Sequence, residues 1–408
     1  MEHPGKIALS NFTSSIPKTV LDSERVNYIA DHIDKLSEDE KSHIYDLTNL
    51  ILSKMIEKEA SDIEIGGFGS DEHVWFRIFG VKQRVLDLPK FTLDEANLLI
   101  LSLLNRNQRK YLLEQRNLDF SYTFHYPKLN TNVRFRADAY FDLDNLTLNM
   151  RYISANLRTI ESLGFHPMAI KTMSHSYIKF GLSLVTGITG SGKSTTLDAI
   201  IDYHNNFDPC HIVIIASPVE YVHKSKKSII KHREVGRDTL SFKDGVIQSL
   251  RQDPDIIVIG EMRDPETILA ALEVTDTGHK VFSTLHTSSA VESIDRIIAE
   301  VNPIEQERVR NRLADVLISI VSQKLVPGLD GKLVLAKEVL LVTPSVRAAI
   351  KNNNTSEIYM MINQGLSQGM ITMEQDLIRL FTERKISKDT AIAYANNKTR
   401  ILQLMNAV

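Results

Sequence analysis

The spacing of apolar residues changes character twice along the chain. From Asp46, the residues Leu47, Leu50, Ile51 and Ile56 recur at helical intervals, and the stretches EASDIEIGG (59–67) and HVWFRIFG (73–80) then alternate apolar with polar positions, as half-buried strands do. A helix is predicted over TLDEANLLILSLL (92–104), followed by strands at DFSYTFHY (119–126), VRFRADAYF (133–141) and LTLNMRYI (146–153). This is the pattern of a small α+β domain, 46–153. Residues 1–45 ahead of it are polar and charged. They read as a helical extension without chemistry, with Ser23 an N-cap for ERVNYIADHIDKL and SEDEKSHIYDL opening the next helix.

Beyond a boundary expected between 153 and 170, the pattern becomes continuous rather than alternating. The runs GLSLVTG (181–187), HIVIIAS (211–217), DIIVIGE (255–261) and KVFSTLH (280–286) are separated by helical segments, which predicts a mostly parallel sheet buried on both faces. The fold class is therefore α/β, with this core over 154–343. From Pro344 the periodicity is helical and broken at Gly365, Gly369 and Ser387, predicting short helices over 344–408. No internal repeat or low-complexity tract interrupts the chain.

With 408 residues, 43% hydrophobic and 24% charged, the chain can bury more than one core. A formal net charge of −3 supplies no field that would attract nucleic acid, so a DNA translocase built on the same core is disfavoured and no nucleic-acid partner is expected. Cys210 is the only cysteine, which excludes an internal disulfide and a four-cysteine zinc module and fits a cytoplasmic location. The first residues lack a signal-peptide core, and no run approaches the roughly 20 apolar residues of a membrane span.

Residues 187–194, GITGSGKS, match the phosphate-binding pattern G-x-x-x-x-G-K-[ST] between a strand and a helix. Gly187, Ile188, Thr189, Gly190, Ser191 and Gly192 can turn their backbone N–H groups around phosphates. Lys193 reaches the outer phosphates, Ser194 offers a hydroxyl to Mg²⁺, and Thr195 and Thr196 open the helix whose N-terminus adds positive potential. ATP and Mg²⁺ are the expected ligands.

Two further strands end in polar residues, and strand ends of such a sheet face the ligand crevice. Glu261 closes DIIVIGE, placed to hold Mg²⁺ partly through water or to activate the attacking water. His286 closes KVFSTLH, placed to sense the terminal phosphate, and His279 at the other end is a weaker candidate. The basic run 223–233, HKSKKSIIKHR, reads as a solvated or intersubunit face.

Taken together, EASDIEI (59–65), RFRADAYF (134–141), GITGSGKSTT (187–196), the segment 217–242, DPDIIVIGEMRDPETI (253–268) and TGHKVFSTLHT (277–287) resemble the secretion ATPase superfamily. The resemblance is closest to the type IV pilus retraction ATPase (PilT-like) branch and covers roughly 46–400. It implies a RecA-like P-loop core, a PAS-like small domain, and a homohexamer powering pilus retraction and twitching-type filament dynamics. The implied place of work is the inner face of the cytoplasmic membrane, on an inner-membrane platform protein, with a second motor ATPase as a further partner. Arg134, Arg136 and Arg151 match arginines that act in trans on the nucleotide of a neighbouring subunit. Read alone, such arginines on strands are a solvated face. The absence of a cysteine-bound zinc element and of a long N-terminal domain favours retraction over assembly.

One departure stands out. The family's acidic box reads isoleucine, glutamate, aspartate, proline, whereas this chain has Ile215, Ala216, Ser217 and Pro218. Glu220 is the carboxylate that remains for catalysis there. The serine is a feature of related conjugation and type IVB secretion motors. The C-terminal family motif after Thr343 and Pro344 is degenerate around Arg347. A secretion or conjugation ATPase, and an accessory ring subunit that binds ATP but turns it over poorly, are the alternative expectations.

Overall fold

The computed structural model describes residues 2–21, 23–153 and 157–406, without the side chains of Ser23 and Leu129. The capping side chain expected at Ser23 and residues 154–156 at the expected domain boundary lie outside these. The described chain falls into two compact units: residues up to 153 with Ser217–Tyr221, and residues 157–216 with 222–406.

In the first unit, six strands form one antiparallel sheet: β1 (Ala60–Gly66), β2 (Trp75–Ile78), β3 (Val81–Arg84), β4 (Asn117–Tyr126), β5 (Thr131–Asp142) and β6 (Asn145–Ile153). Their order is β3-β2-β1-β6-β5-β4. The alternation seen in the sequence is the burial alternation: along β4, Leu118, Phe120, Tyr122, Phe124 and Tyr126 are buried. The helix Leu93–Ser102 starts at a capping box, Thr92 with Glu95, and contributes Leu98, Leu99, Ile100 and Leu101 to the core.

The expected division at residue 45 meets the helix Glu38–Glu57, which runs across it. Leu9, Ile29 and Ile44 share one core with Leu47, Phe76 and Phe135. The N-terminal segment is therefore integral to the unit rather than an extension. The helical spacing of Val26, Ile29, Ile33 and Leu36 marks an apolar face, but which core that face joins is decided only by tertiary packing. The helix Pro4–Ser14 lies so close that a Cβ on Gly5 would meet the His43 carbonyl oxygen at 2.2 Å. Lys6 and Ser10 both bond the buried Glu95, and Arg25 pairs with Asp94. Leu9 is 0% exposed, so Leu9→Ala should destabilise the protein by about 3 kcal/mol. Urea unfolding checks this, and a loss under about 1 kcal/mol would mean that the segment is a loose appendage.

The second unit holds a seven-stranded sheet of β7 (Gly181–Thr186), β8 (His211–Ala216), β9 (Ile229–Glu234), β10 (Ile256–Ile259), β11 (Lys280–Leu285), β12 (Leu317–Pro327) and β13 (Leu333–Leu341). The order is β13-β12-β7-β11-β10-β8-β9, parallel throughout except for β13 at one edge. β7, β10 and β11 are buried at every position, which explains their unbroken apolar runs. The basic run 223–233 supplies the edge strand β9, so its alternating polar residues are those of a half-exposed strand. The short helices after Pro344 pack in part around a separate cluster, with Val326 and Ala336 of the β12–β13 hairpin against Leu377, Leu380 and Ile401. Among the described residues no helix is long and apolar enough to cross a membrane.

Candidate nucleotide site

β7, β11, β10 and β8 are parallel neighbours in matching register, Thr186 beside Leu285 and Ile259 beside both Ser283 and Ile215, so their carboxyl ends open along one edge of the sheet. Ligands bind at such an edge, where strand order reverses around the first strand. Here β7 lies between β11, later in sequence on one side, and β12 on the other.

The phosphate loop follows β7 and ends at the helix Lys193–Phe207. Gly187 has φ +150°, and a Cβ there would strike Ser191 Oγ at 2.4 Å and the Gln323 carbonyl oxygen at 2.5 Å, so only glycine lets the loop close this tightly. Gly190 and Gly192 both have positive φ. Gln323 Nε2, on β12, donates to the Ser191 carbonyl at 2.8 Å and braces the loop from outside. Lys193 Nζ donates to the carbonyls of Gly187 at 2.8 Å and Ile188 at 3.1 Å, so the ammonium is folded over the loop. Ile188, Thr189, Ser194 and Thr195 are exposed, whereas Thr196 packs inward. Ser191 Oγ is buried in the loop without a hydrogen-bond partner among the described residues.

Glu261 follows β10. Its Oε2 accepts from Arg263 Nε at 2.8 Å and lies 3.8 Å from His286 Nε2, which follows β11. Burial first, then the positive charges of Lys193, Arg263 and Arg296, hold the His286 pKa below the usual histidine value, so the ring is neutral at pH 7. A neutral imidazole near a carboxylate at that distance is poised to donate one N–H to an incoming oxygen. The backbone of His286 is fixed by Arg296 Nη1, which donates to its carbonyl at 3.1 Å.

The second unit thus assembles Lys193, Glu261 and His286. Glu220, Arg134, Arg136 and Arg151 belong to the first unit. There Arg134 donates to the Val219 carbonyl at 2.8 Å, Arg136 lies 3.1 Å from Asp119 and 3.7 Å from Glu220, and Arg151 pairs with Asp62 at 2.8 Å. His279 sits at the opposite end of β11, bonded to Thr277 Oγ1 at 3.0 Å, which sets it apart from the strand end that carries His286. At the end of β8, a Cβ on Gly260 would lie 3.3 to 3.4 Å from Ala216, so this strand end is close-packed and apolar.

Arg263, Arg296 and Gln323 are site residues that the periodicity did not single out. Arg263 stands two positions after Glu261 in the most specific family run, a usable signal. Arg296 and Gln323 reach the site only through tertiary contact.

The donor set suits a hard divalent cation held jointly with phosphate oxygens. Magnesium keeps several waters and takes one or two protein oxygens, which the Ser194 hydroxyl and the Glu261 carboxylate would supply. Among the described residues no group of three or more His, Cys, Asp or Glu is placed to hold a metal by itself.

Residues 37–333 match the family model described as type II/IV secretion system protein. The chain is 39% identical over 322 residues to a twitching motility protein of Neisseria gonorrhoeae, covering 79% of this chain and 84% of that one. It is 40% identical over 308 residues to the type IV pilus retraction ATPase PilT of Pseudomonas aeruginosa, covering 76% and 87%. A crystal structure of the pilus retraction motor PilT with bound ADP superposes with a TM-score of 0.77 at 35% identity, over 87% of this chain and 98% of that one.

Proposed function

The chain belongs to the type II/IV secretion system protein family, and from this premise we propose that it is a ring-forming, Mg²⁺-dependent ATPase that powers type IV pilus retraction. The observation that carries the reading is the meeting of Lys193, Glu261 and His286 at the carboxyl edge of a parallel sheet. Relatives named for retraction and twitching support the choice of work.

Residues 187–196 cradle the phosphates, and backbone N–H groups with Lys193 offset their charge. Ser194 and Glu261 hold Mg²⁺, which when bound neutralises charge on the phosphate oxygens. Glu261 orients the attacking water and accepts its proton, and the neutral His286 donates to the terminal phosphate. Arg134, Arg136 and Arg151 act on the nucleotide of a neighbouring protomer in a homohexamer, with Glu220 as a second carboxylate. The ring works on the cytoplasmic side of the membrane against a platform protein, with a second motor ATPase as a further partner. The parts are the first unit as gripping domain, the P-loop core, and residues 344–408 as a helical subdomain.

Steady-state phosphate release from ATP and Mg²⁺ by the purified protein tests this. Turnover is expected without stimulation by DNA. Ala216 favours one other reading, an accessory ring subunit, because the close-packed end of β8 offers no carboxylate. Silence in the native chain with activity in Ala216→Glu would establish that reading and overturn the motor.

A further inference from the structure

β13 is an edge strand of the sheet, yet from Ala336 on it is buried, with Ala336, Val339, Leu340 and Leu341 apolar. Glu338 is an exception, a carboxylate only 2% exposed. Burying such a group is costly unless its oxygens are used. One of them is: Oε1 accepts the Ala290 backbone N–H at 2.8 Å, and the Met373 backbone N–H lies near enough to favour the charged form.

Ala290 and Met373 are the first residues of two ten-residue helices, Ala290–Ala299 and Met373–Thr382. First-turn N–H groups have no partner within their own helix, and the positive end of the helix dipole favours an anion there. One carboxylate therefore stands between two helix N-termini, bonded to the first, while the adjacent Lys337 backbone N–H donates to Asp376 Oδ2 in the second helix at 2.9 Å.

The first of these helices carries Arg296, which holds the His286 carbonyl, and its N-terminus is three residues beyond the Thr287 that follows His286. The second belongs to the C-terminal helices. A parallel contact runs beside the first: Asn396 Nδ2 donates to the Ser288 carbonyl at 3.3 Å, while Lys324 Nζ binds Asn396 Oδ1 at 2.6 Å and the Tyr394 carbonyl at 2.8 Å. Glu374 Oε1 accepts the Asn397 backbone N–H at 2.7 Å, which ties this turn to the same helix.

We propose that Glu338 is a positioning residue for ATP turnover, setting the 286–290 segment and with it His286 against the C-terminal helices, so that nucleotide at the phosphate loop is felt in residues 373–382. The inference rests on the ATPase reading above. Burial raises the Glu338 carboxyl to about 7, opposed by the bond from Ala290, with Glu374 adding repulsion and the nearby Met373 N–H and the Lys324 charge favouring the charged form.

Glu338→Gln keeps the shape but replaces one acceptor oxygen by a donor, so one helix start loses its partner. The expected result is a fall in kcat of about tenfold with KM changed less than about twofold, because the phosphate loop is untouched. Amide hydrogen exchange with ATPγS and Mg²⁺ supplies a readout that needs no turnover. In the native chain ATPγS should protect 187–196, 286–292 and 373–382, and in Glu338→Gln the protection should stop short of 373–382. Equal kcat in the two proteins, or a kcat and KM that both follow a lost folded fraction, would overturn the proposal. Protection of 187–196 without any change at 373–382 in the native chain would also sink it. Failure of ATPγS to protect even 187–196 would instead remove the ATPase reading on which it rests, and the proposal with it.

Discussion

Lys193→Ala should abolish ATP binding and turnover together. The side chain is the one cation that the phosphate loop itself carries, and its Nζ already lies 2.8 Å from the Gly187 carbonyl and 3.1 Å from that of Ile188. Those two bonds are to neutral acceptors, and a triphosphate offers charged ones. Charge-assisted bonds contribute roughly 1.5–3 kcal/mol each, so losing one or two should weaken binding by about a hundredfold or more. The fold should survive, because the loop is also held by Gln323 on the Ser191 carbonyl and by the Gly187 N–H on the Leu285 carbonyl. Titration with a fluorescent ATP analogue, beside a thermal melt, checks this. A variant that folds and still binds within a few-fold of the native protein would show that phosphate is held elsewhere.

Glu261→Gln should separate binding from chemistry. Glutamine can still accept from Arg263, now at 2.8 Å from Glu261 Oε2, but it cannot take a proton and brings no negative charge to magnesium. Removing a general base costs about 10²- to 10⁴-fold, so phosphate release should fall by at least about 10²-fold. Affinity for ATP should hold or rise, since one negative charge near the phosphates is gone while Lys193, Arg263 and Arg296 remain to bias that region positive. Single-turnover and binding measurements on the same preparation decide the outcome. Undiminished turnover would transfer the base to another carboxylate, with Glu220 the first to substitute.

The two variants also bear on the altered box at Ala216. If turnover depends on Glu261 in the native chain, a carboxylate at the end of β8 is dispensable. The close packing of Gly260 against Ala216 then becomes a feature of a working site rather than a sign of a silent one.

Much of this was legible in the chain itself. The phosphate loop is contiguous, so its chemistry appears as eight adjacent letters, and β7, β8, β10 and β11 appear as apolar runs because both faces of a parallel sheet are covered. Glu261 and His286 could be named because a strand end of such a sheet has one destination. β9, β12 and β13 were harder, since β9 is a half-exposed edge and the β12–β13 hairpin mixes buried polar groups such as Gln323, Lys337 and Glu338 with its apolar positions.

What the order of residues determined by itself is the local chemistry: which segments are strands, where the loop cradles phosphate, and which strand ends carry a carboxylate and an imidazole. Only the tertiary structure decided which distant groups reach that chemistry. It made the first 45 residues part of a core, put Gln323 behind Ser191, drew Arg296 onto His286, and set Glu338 between two helix starts. Such contacts join residues separated by tens to more than a hundred positions. They are selected by the shared cost of leaving buried polar groups unpaired and apolar surface exposed, a quantity that belongs to the whole packed unit and to no single stretch of sequence.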